Sequence, residues 1–340
     1  MEPTVQSVLT IQPEAGPSHF HRREAPRVSV CMPASRNTPW FRQALRSAMA
    51  QSLSDIEIVI TDDSGGDLAG VAESFGDSRI RYFSNPTRLG FAGNHCRCLD
   101  LATGEYVALL HDDDAWEAEY LATAAAVLDR DPEVGMVLCG ATEIDGHDLA
   151  LGVRPARMEP GIQTDPLGHF LLPEFMMMLP SLALFRRAAL ETNSRPWPDV
   201  NAADVTLFID VARSNWKVFY VEKPLVRYRI HDHQISTDDF AHRHALVTVW
   251  SGYTFSEERF ESQRRKCLAK SLTGRAGALL RRCDYRGARR DLAEARRASP
   301  EAARRLRWWL LRAVATAPFL AGPLVRLRNA LPRQNRHQGF

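Results

Sequence analysis

The sequence lacks several patterns that would assign a function at once. None of its six cysteines forms a C-x-x-C pair, no G-x-G-x-x-G follows the first apolar stretch, and no G-x-x-x-x-G-K-[S/T] occurs in the 340 residues. These absences exclude the common zinc and redox motifs, the dinucleotide fingerprint and the P-loop. Phosphates of a bound ligand would therefore be held by a metal ion and side chains.

Long apolar runs are also missing. Residues 1–26 are rich in Pro, Glu, Ser and Arg and lack the continuous apolar core of a signal peptide, so we expect a disordered lead. The longest uncharged apolar run, 313–325, contains two prolines and is too short to cross about 30 Å of hydrocarbon. Four cysteines lie in apolar or helical surroundings, which favours reduced thiols and a cytoplasmic protein.

Charge is present in ordinary amount but is unevenly distributed. The net charge of +2 hides a basic tail: residues 261–340 carry 20 Lys and Arg against 5 Asp and Glu, so the tail is +15 and the preceding 260 residues are −13. Such a tail suits an anionic partner. No nucleic-acid-binding fold is recognisable, which favours a membrane surface over nucleic acid.

The end of this tail predicts a helix at a membrane interface. Residues 303–340 mix arginines with apolar residues, and we expect Trp308 and Trp309 at the level of the lipid headgroups. The alternative is a helix docked on the protein. Residues 268–300 are similar to one tetratricopeptide-like helical hairpin, which we expect to pack against the preceding domain because a single hairpin makes no solenoid.

The front part alternates between strand and helix patterns. Apolar strand segments are predicted at 28–33, 56–61, 79–83, 105–110 and 134–140, with helical patterns between them. Continuous Ile and Val runs are typical of parallel strands covered on both faces. We therefore expect an α/β fold with a doubly wound, mostly parallel sheet.

Two acidic clusters follow two of these strands. Asp62 and Asp63 end the second strand, and the run 112–114 (DDD) ends the fourth. Ligands of such sheets bind beyond the carboxyl ends of the strands, so both clusters should face one cleft. Adjacent carboxylates need a counter-charge, and Mg²⁺ commonly bridges carboxylates to a diphosphate. The alternative, without any ligand, is that the DDD run forms a solvated turn that caps the next helix.

Three segments carry a family resemblance. Two segments resemble the N-terminal half of family 2 glycosyltransferases of the GT-A fold. They are VSVCMPASRNTPWFRQALRSAMAQSLSDIEIVITDDSGGD and NPTRLGFAGNHCRCLDLATGEYVALLHDDDAW. ADVTLFIDVARSNWKVFYVEKPLVRYRIHDHQIS resembles their C-terminal catalytic segment. The likeness covers about residues 27–240, which we predict to be the GT-A domain, and 241–340 would be a basic helical extension with an amphipathic end.

The resemblance implies binding of a nucleoside-diphosphate sugar. One of Asp62 and Asp63 would accept a hydrogen bond from a base N–H, and Arg88 and Asn94 fall where the family approaches ribose and diphosphate. The residues that match the family's nucleotide-sugar segments are Pro33, Ala34, Ser35, Asp62, Asp63, Arg88, Asn94, Asp112 and Asp113.

The resemblance also implies a site for Mg²⁺ or Mn²⁺. Asp112, Asp113 and Asp114 cover the family's DxD motif, and His231 matches a position near the metal or the leaving phosphate. His111 stands where many members have the first acid of the motif. Either Asp112 with Asp114, or Asp113 alone, would then ligate the metal.

Asp204 matches the second acid of the family's E-D pair at a helix start, and Ala203 replaces the first. The resemblance makes Asp204 the base of an inverting transfer. Its alternative role is an N-cap of the following helix.

The resulting hypothesis is a metal-assisted inverting glycosyltransferase whose acceptor is a hydroxyl of a glycan or a lipid-linked saccharide, bound peripherally to the cytoplasmic face of a membrane. The alternatives are a polyprenyl-phosphate sugar transferase, a nucleotidyltransferase and a non-catalytic sugar-nucleotide-binding module.

Overall fold

A ten-stranded sheet forms the centre of the molecule. The computed structural model describes residues 25–173, 175, 177–232, 234, 237–317 and 319. The strands are β1 (Val28–Ala34), β2 (Ile56–Asp62), β3 (Ile80–Ser84), β4 (Tyr106–Leu109), β5 (Ala115–Trp116), β6 (Val134–Ile144), β7 (Ala150–Val153), β8 (Gly161–Ile162), β9 (Ala183–Arg186) and β10 (Lys217–Arg229).

Helices cover the sheet and continue beyond it. They are α1 (Pro39–Met49), α2 (Ala69–Ser74), α3 (Gly90–Leu101), α4 (Tyr120–Arg130), α5 (Pro166–Phe170), α6 (Arg187–Leu190), α7 (Val205–Ala212), α8 (Asp239–Gly252), α9 (Glu258–Arg281), α10 (Tyr285–Ala298) and α11 (Leu306–Thr316). Short 3₁₀ turns lie at Pro180–Leu182 and Pro300–Arg304.

The sheet has a parallel half and a mixed half. Its order is β3-β2-β1-β4-β9-β6-β10-β5, with β7 beside β6 and β8 beside β10. The first four strands are mutually parallel, whereas β9 runs antiparallel to both neighbours, β4 and β6. The α/β class is confirmed, and so is the parallel arrangement of the first half. The short apolar pattern of β9 does not predict that this strand runs antiparallel to its neighbours.

The continuous apolar strands are buried as their composition predicted. Every residue of β1 and β2 is buried, which requires cover on both faces. Because β1, β2 and β4 are parallel neighbours, their carboxyl ends lie side by side. This brings the segments after residues 34, 62 and 109 to one edge of the sheet.

The C-terminal helices pack on the sheet domain. Trp250 of α8 and Leu272 of α9 belong to the same buried core as the strands. The hairpin expected within 268–300 is present as α9 and α10, joined by an ion pair of Arg275 and Asp291 at 2.7 Å. It docks on the domain, as expected for a single hairpin that cannot form a solenoid.

Helix α11 departs from one expectation. Trp308 is fully buried, and its Nε1 donates to the carbonyl of Leu292 at 3.1 Å, whereas Trp309 is 54% exposed. Trp308 therefore belongs to the protein core and not to a membrane interface. Among the described residues, no helix combines the length and the apolarity needed to cross a bilayer. Residues 1–24 of the predicted lead, and 318 and 320–340 of the predicted amphipathic end, lie outside the described residues.

Candidate active site

A cavity of about 660 Å³ lies at the carboxyl ends of β1, β2 and β4. Of the residues predicted to bind the nucleotide, it is lined by Pro33, Ala34, Ser35, Asp63, Arg88 and Asn94. Asp112, Asp113 and Asp204 line it as well. The two acidic turns and the predicted base thus meet in one site, as the strand order implied.

Asp62 does not line this cavity. Its side chain is buried and accepts hydrogen bonds from the Ser64 N–H at 2.6 Å, the Leu68 N–H at 3.3 Å and the Tyr82 hydroxyl at 2.6 Å. Burial alone would raise the pKa of Asp62, but these bonds outweigh it and keep the pKa below its ordinary value. The structure therefore gives Asp62 a role in holding the turn after β2.

Asp63 is buried at the cavity wall and tied to the start of α3. Its oxygens accept from the N–H groups of Leu89 at 2.7 Å and Gly90 at 2.9 Å, and from Asn85 Nδ2 at 2.8 Å. The exposed Arg88 places Nε 4.0 Å from Asp63 Oδ2. Asp63 is thus the member of the pair that reaches the cavity, with its orientation fixed by α3.

Asn94 lines the cavity but its amide is fully engaged. Nδ2 donates to the carbonyls of Ala34 and Thr61, both at 3.1 Å, and Oδ1 accepts from Asn85 at 2.9 Å. These bonds tie α3 to the ends of β1 and β2. Asn94 therefore positions the wall instead of offering a spare polar group.

The DDD turn is held less completely. Asp114 is buried, and its Oδ1 accepts from the Arg229 N–H at 3.0 Å, but its Oδ2 has no hydrogen-bond partner among the described residues. Burial and the neighbouring charge of Asp113 raise the pKa of Asp114 to about 7. The same two causes raise the pKa of Asp112 to about 6. His111 opposes this rise at both carboxyls and Arg36 opposes it at Asp112, but neither effect cancels it.

Ligand atoms of His111, Asp113 and Asp114 lie within 4.8 Å of one another, a spacing that could hold a metal ion. Asp112 lines the cavity outside this group. His231 Nε2 lies 3.1 Å from Asp113 Oδ2, and its ring packs on Trp40 with centroids 4.1 Å apart. The unpartnered Oδ2 of Asp114 and the oxygen-rich donor set fit a hard divalent cation, and His231 is placed to orient Asp113.

The predicted base stands beside His111. Asp204 precedes α7 but makes no side-chain capping bond to it, and Oδ2 lies 3.9 Å from His111 Nε2. Burial raises the pKa of Asp204, and the nearby His111 opposes this rise. The preceding Ala202 has φ of +64°, a strained conformation that sets the entry to α7.

His95 was not identified from the sequence. Its Nδ1 donates to the Phe91 carbonyl at 2.8 Å, which leaves the Nε2 lone pair facing His111 Nε2 at 3.3 Å. Burial lowers the pKa of His95 to about 3, and His111 adds to this effect. His95 therefore supplies a neutral contact for His111. Its position next to Asn94 gave no signal, because adjacent residues of a helix do not share a face.

Arg229 was also missed. This fully buried arginine donates to the Asp113 carbonyl at 2.7 Å and to Gln43 Oε1 at 2.6 Å, and it pairs with Asp148 at 2.8 Å. It locks the end of β10 against the DDD turn. A buried arginine has no distinctive local sequence signal.

The extension closes one side of the cavity. It is lined there by two residues that precede α8 and three residues within α8, namely Thr237, Asp238, Ala241, His242 and Leu246. The cavity is therefore built from both the sheet domain and the first helix of the basic extension.

Comparison with known proteins gives a consistent family. Residues 29–193 match the family model described as glycosyl transferase family 2. A Campylobacter jejuni protein named GalNAc(5)-diNAcBac-PP-undecaprenol beta-1,3-glucosyltransferase is 28% identical over 211 residues, which are 60% of this chain and 65% of that protein.

Two solved structures share the fold. Staphylococcus aureus TarS 1-349 in complex with UDP-GlcNAc has a TM-score of 0.65 at 16% identity and covers 92% of this chain and 95% of that one. The mannosyltransferase PcManGT of Pyrobaculum calidifontis, in complex with GDP-Man and Mn²⁺, has a TM-score of 0.55 at 22% identity and covers 90% and 84%. The sheet, the acidic cavity and these likenesses agree, and the chain carries a glycosyltransferase domain of family 2 over residues 29–193.

Proposed function

We propose that this enzyme moves a sugar from a nucleoside-diphosphate sugar to an acceptor hydroxyl with inversion at the anomeric carbon. The observation that carries the proposal is the position of Asp204. It is a buried carboxyl with a raised pKa and no capping bond, in the same cavity as the DDD turn. A raised pKa makes such a carboxylate a stronger proton acceptor than an ordinary aspartate.

The donor is proposed to lie along the β1 side of the cavity. The structural neighbours were solved with UDP-GlcNAc and with GDP-Man, which supports a nucleotide-sugar donor. Asp63 would meet the base, and the segment Pro33, Ala34, Ser35 would flank the nucleoside. Arg88, whose side chain is largely exposed at the cavity rim, could approach the diphosphate.

We propose Asp113, Asp114 and His111 as the holders of Mg²⁺ or Mn²⁺, with Asp112 in the adjoining wall and His231 orienting Asp113. PcManGT was solved with Mn²⁺, which supports this class of ion. A divalent cation bound there would stabilise negative charge on the leaving diphosphate. The aspartates then need not be protonated to coexist.

The reaction assigned to these residues is one displacement. The acceptor oxygen forms a bond to the anomeric carbon as the bond to the nucleoside diphosphate breaks. The acceptor proton passes to Asp204, and the leaving group departs as the nucleoside diphosphate. His111, next to Asp204, would hold that carboxylate in place for the transfer.

The acceptor is proposed to be a glycan or a lipid-linked saccharide. The name of the Campylobacter relative includes a saccharide on undecaprenyl diphosphate, and this supports a lipid-linked acceptor. We further propose that the enzyme meets this acceptor at the cytoplasmic face of a membrane. The net charge of +15 in residues 261–340 supports peripheral attachment through 303–340.

Asp204→Asn tests the proposal. We expect transfer to fall about 10²- to 10⁴-fold because the base is lost, while donor affinity stays within about twofold. Transfer would be followed as nucleoside diphosphate release with a panel of donors and Mn²⁺, affinity by calorimetry and the product anomer by NMR.

Asp199→Asn, another acid of the same cavity wall, is the matched control and should lose much less activity. A parallel loss of donor affinity in Asp204→Asn would make Asp204 a structural or donor-binding residue. A product with retained configuration would exclude the single displacement.

A further inference from the structure

Helix α11 has apolar side chains on two opposite sides. Trp308 and Ala315 are fully buried against the rest of the extension. Leu306 and Trp309 are 73% and 54% exposed, and Leu310 is partly exposed beside them. At about 100° per residue, these three side chains project opposite to Trp308 and Ala315.

The inner side alone accounts for the docking of α11 on the protein. Trp308 fills a small core with Ala288 and Leu292 of α10, and its Nε1 donates to the Leu292 carbonyl. Arg289 Nη1 donates to the Ala315 carbonyl at 2.6 Å. The outer apolar side therefore contributes nothing to this packing, whereas a helix on a protein surface normally turns polar residues outward.

Arginines border the outer apolar side. By helical spacing, Arg307 and Arg312 lie about 100° and 120° from Leu306, one on each flank. Arg312 stacks over Trp308, 5.2 Å from the ring centroid, which places it between the inner and outer sides. An apolar strip with basic flanks is the pattern of helices that lie in a lipid interface, because the flanking cations can reach lipid phosphates while the apolar side chains enter the acyl boundary.

We propose that the outward side of α11, formed by Leu306, Trp309 and Leu310 and flanked by Arg307 and Arg312, docks on the surface of an anionic lipid bilayer. The charge of the region, +15 over residues 261–340, is complementary to such a surface. This surface specifies how the peripheral attachment proposed above would occur, and its role in the enzyme rests on that proposed function. It also reconciles the two predictions for this segment, because one side docks on protein and the other faces lipid.

The geometry links this surface to catalysis. Helix α11 packs on α9 and α10, α9 packs on α8, and α8 lines the active-site cavity. A bilayer held by α11 would therefore stand in a fixed relation to the cavity, which suits an acceptor whose saccharide is anchored in lipid.

The test is co-sedimentation of the full chain with vesicles, without donor or metal. We expect binding to phosphatidylcholine vesicles that contain phosphatidylglycerol and at least about tenfold weaker binding to phosphatidylcholine alone. Leu306→Glu with Trp309→Glu should weaken binding about tenfold or more, since two interfacial apolar side chains are lost. Both positions lie in the first turn of α11, where glutamate favours the helix, so the fold should persist.

Leu149→Glu with Leu151→Glu is the matched control. Leu149, just before β7, is 67% exposed and Leu151, on β7, is 53% exposed, and the double variant should bind vesicles like the unchanged protein. Circular dichroism and thermal unfolding would establish that all variants are folded.

Several outcomes would overturn the proposal. They are no vesicle binding by the unchanged protein, equal loss in the β7 variant, an unaltered affinity in the α11 variant, and retention on RNA without vesicle binding. A dimer that the α11 substitutions dissociate, without any vesicle binding, would identify a second copy as the occupant instead. Donor hydrolysis is measured separately: vesicle binding without any donor turnover would leave the surface standing and remove the proposed transfer.

Discussion

The turns after β2 and β4 are both acidic but chemically different. Asp62 accepts three hydrogen bonds and Asp63 accepts three, from backbone N–H groups and neighbouring side chains. In the DDD turn, Asp114 accepts one from Arg229 and keeps a buried oxygen without a partner among the described residues. The comparison teaches that acidity at a strand end does not by itself indicate a metal site. The number of hydrogen-bond donors that reach each carboxylate distinguishes the two turns.

The pKa values follow the same division. Hydrogen bonds hold the pKa of Asp62 below its ordinary value against the effect of burial. Burial and mutual repulsion raise the pKa of Asp112 to about 6 and that of Asp114 to about 7. The first turn is therefore satisfied by donors within the protein, whereas a cation at the second turn, as proposed above, would stabilise its ionised carboxylates.

The largest effect that distinguishes the turns is expected from Asp114→Asn. The amide keeps an oxygen for the Arg229 N–H but removes the buried charge, so nucleotide-sugar affinity in Mn²⁺ should fall at least about 100-fold. Affinity without metal should change little. Calorimetry with and without Mn²⁺ measures both affinities. Asp62→Asn, the same substitution in the turn after β2, is the control. Equal losses in the two variants would erase the distinction.

Asp62→Asn should instead reduce stability. An amide cannot accept from all three donors, so we expect a loss of about 2 kcal/mol in the free energy of unfolding. Urea unfolding measures it. Asp67→Asn, an exposed change in the same turn, should stay within about 0.5 kcal/mol. Loss of nucleotide-sugar affinity without loss of stability in Asp62→Asn would return this residue to the binding site.

The sequence predicted the parallel half of the fold and the meeting of the two acidic turns, because both follow from apolar periodicity and strand order. It could not separate Asp62 from Asp114. The donors to Asp62 include Tyr82 from β3 and the N–H of Leu68, and such tertiary partners leave no local pattern. The sequence did not identify His95 and Arg229 for the same reason, because their roles come from contacts between residues distant in the sequence.

The smallest effect is a pH dependence confined to the second turn. The pKa of Asp114 is about 7, so at lower pH this carboxyl must release a proton before it can ligate a cation. The affinity for nucleotide-sugar with Mn²⁺ should therefore fall as the pH is lowered. One released proton gives at most about tenfold per pH unit. Asp62, with its lowered pKa, stays ionised between pH 7.5 and 6, so Asp62→Asn should keep the slope. Calorimetry at pH 7.5, 6.7 and 6.0 measures it. A flat profile, or affinity that rises as the pH falls, would mean that Asp114 carries no proton to be displaced and that its burial is compensated within the protein.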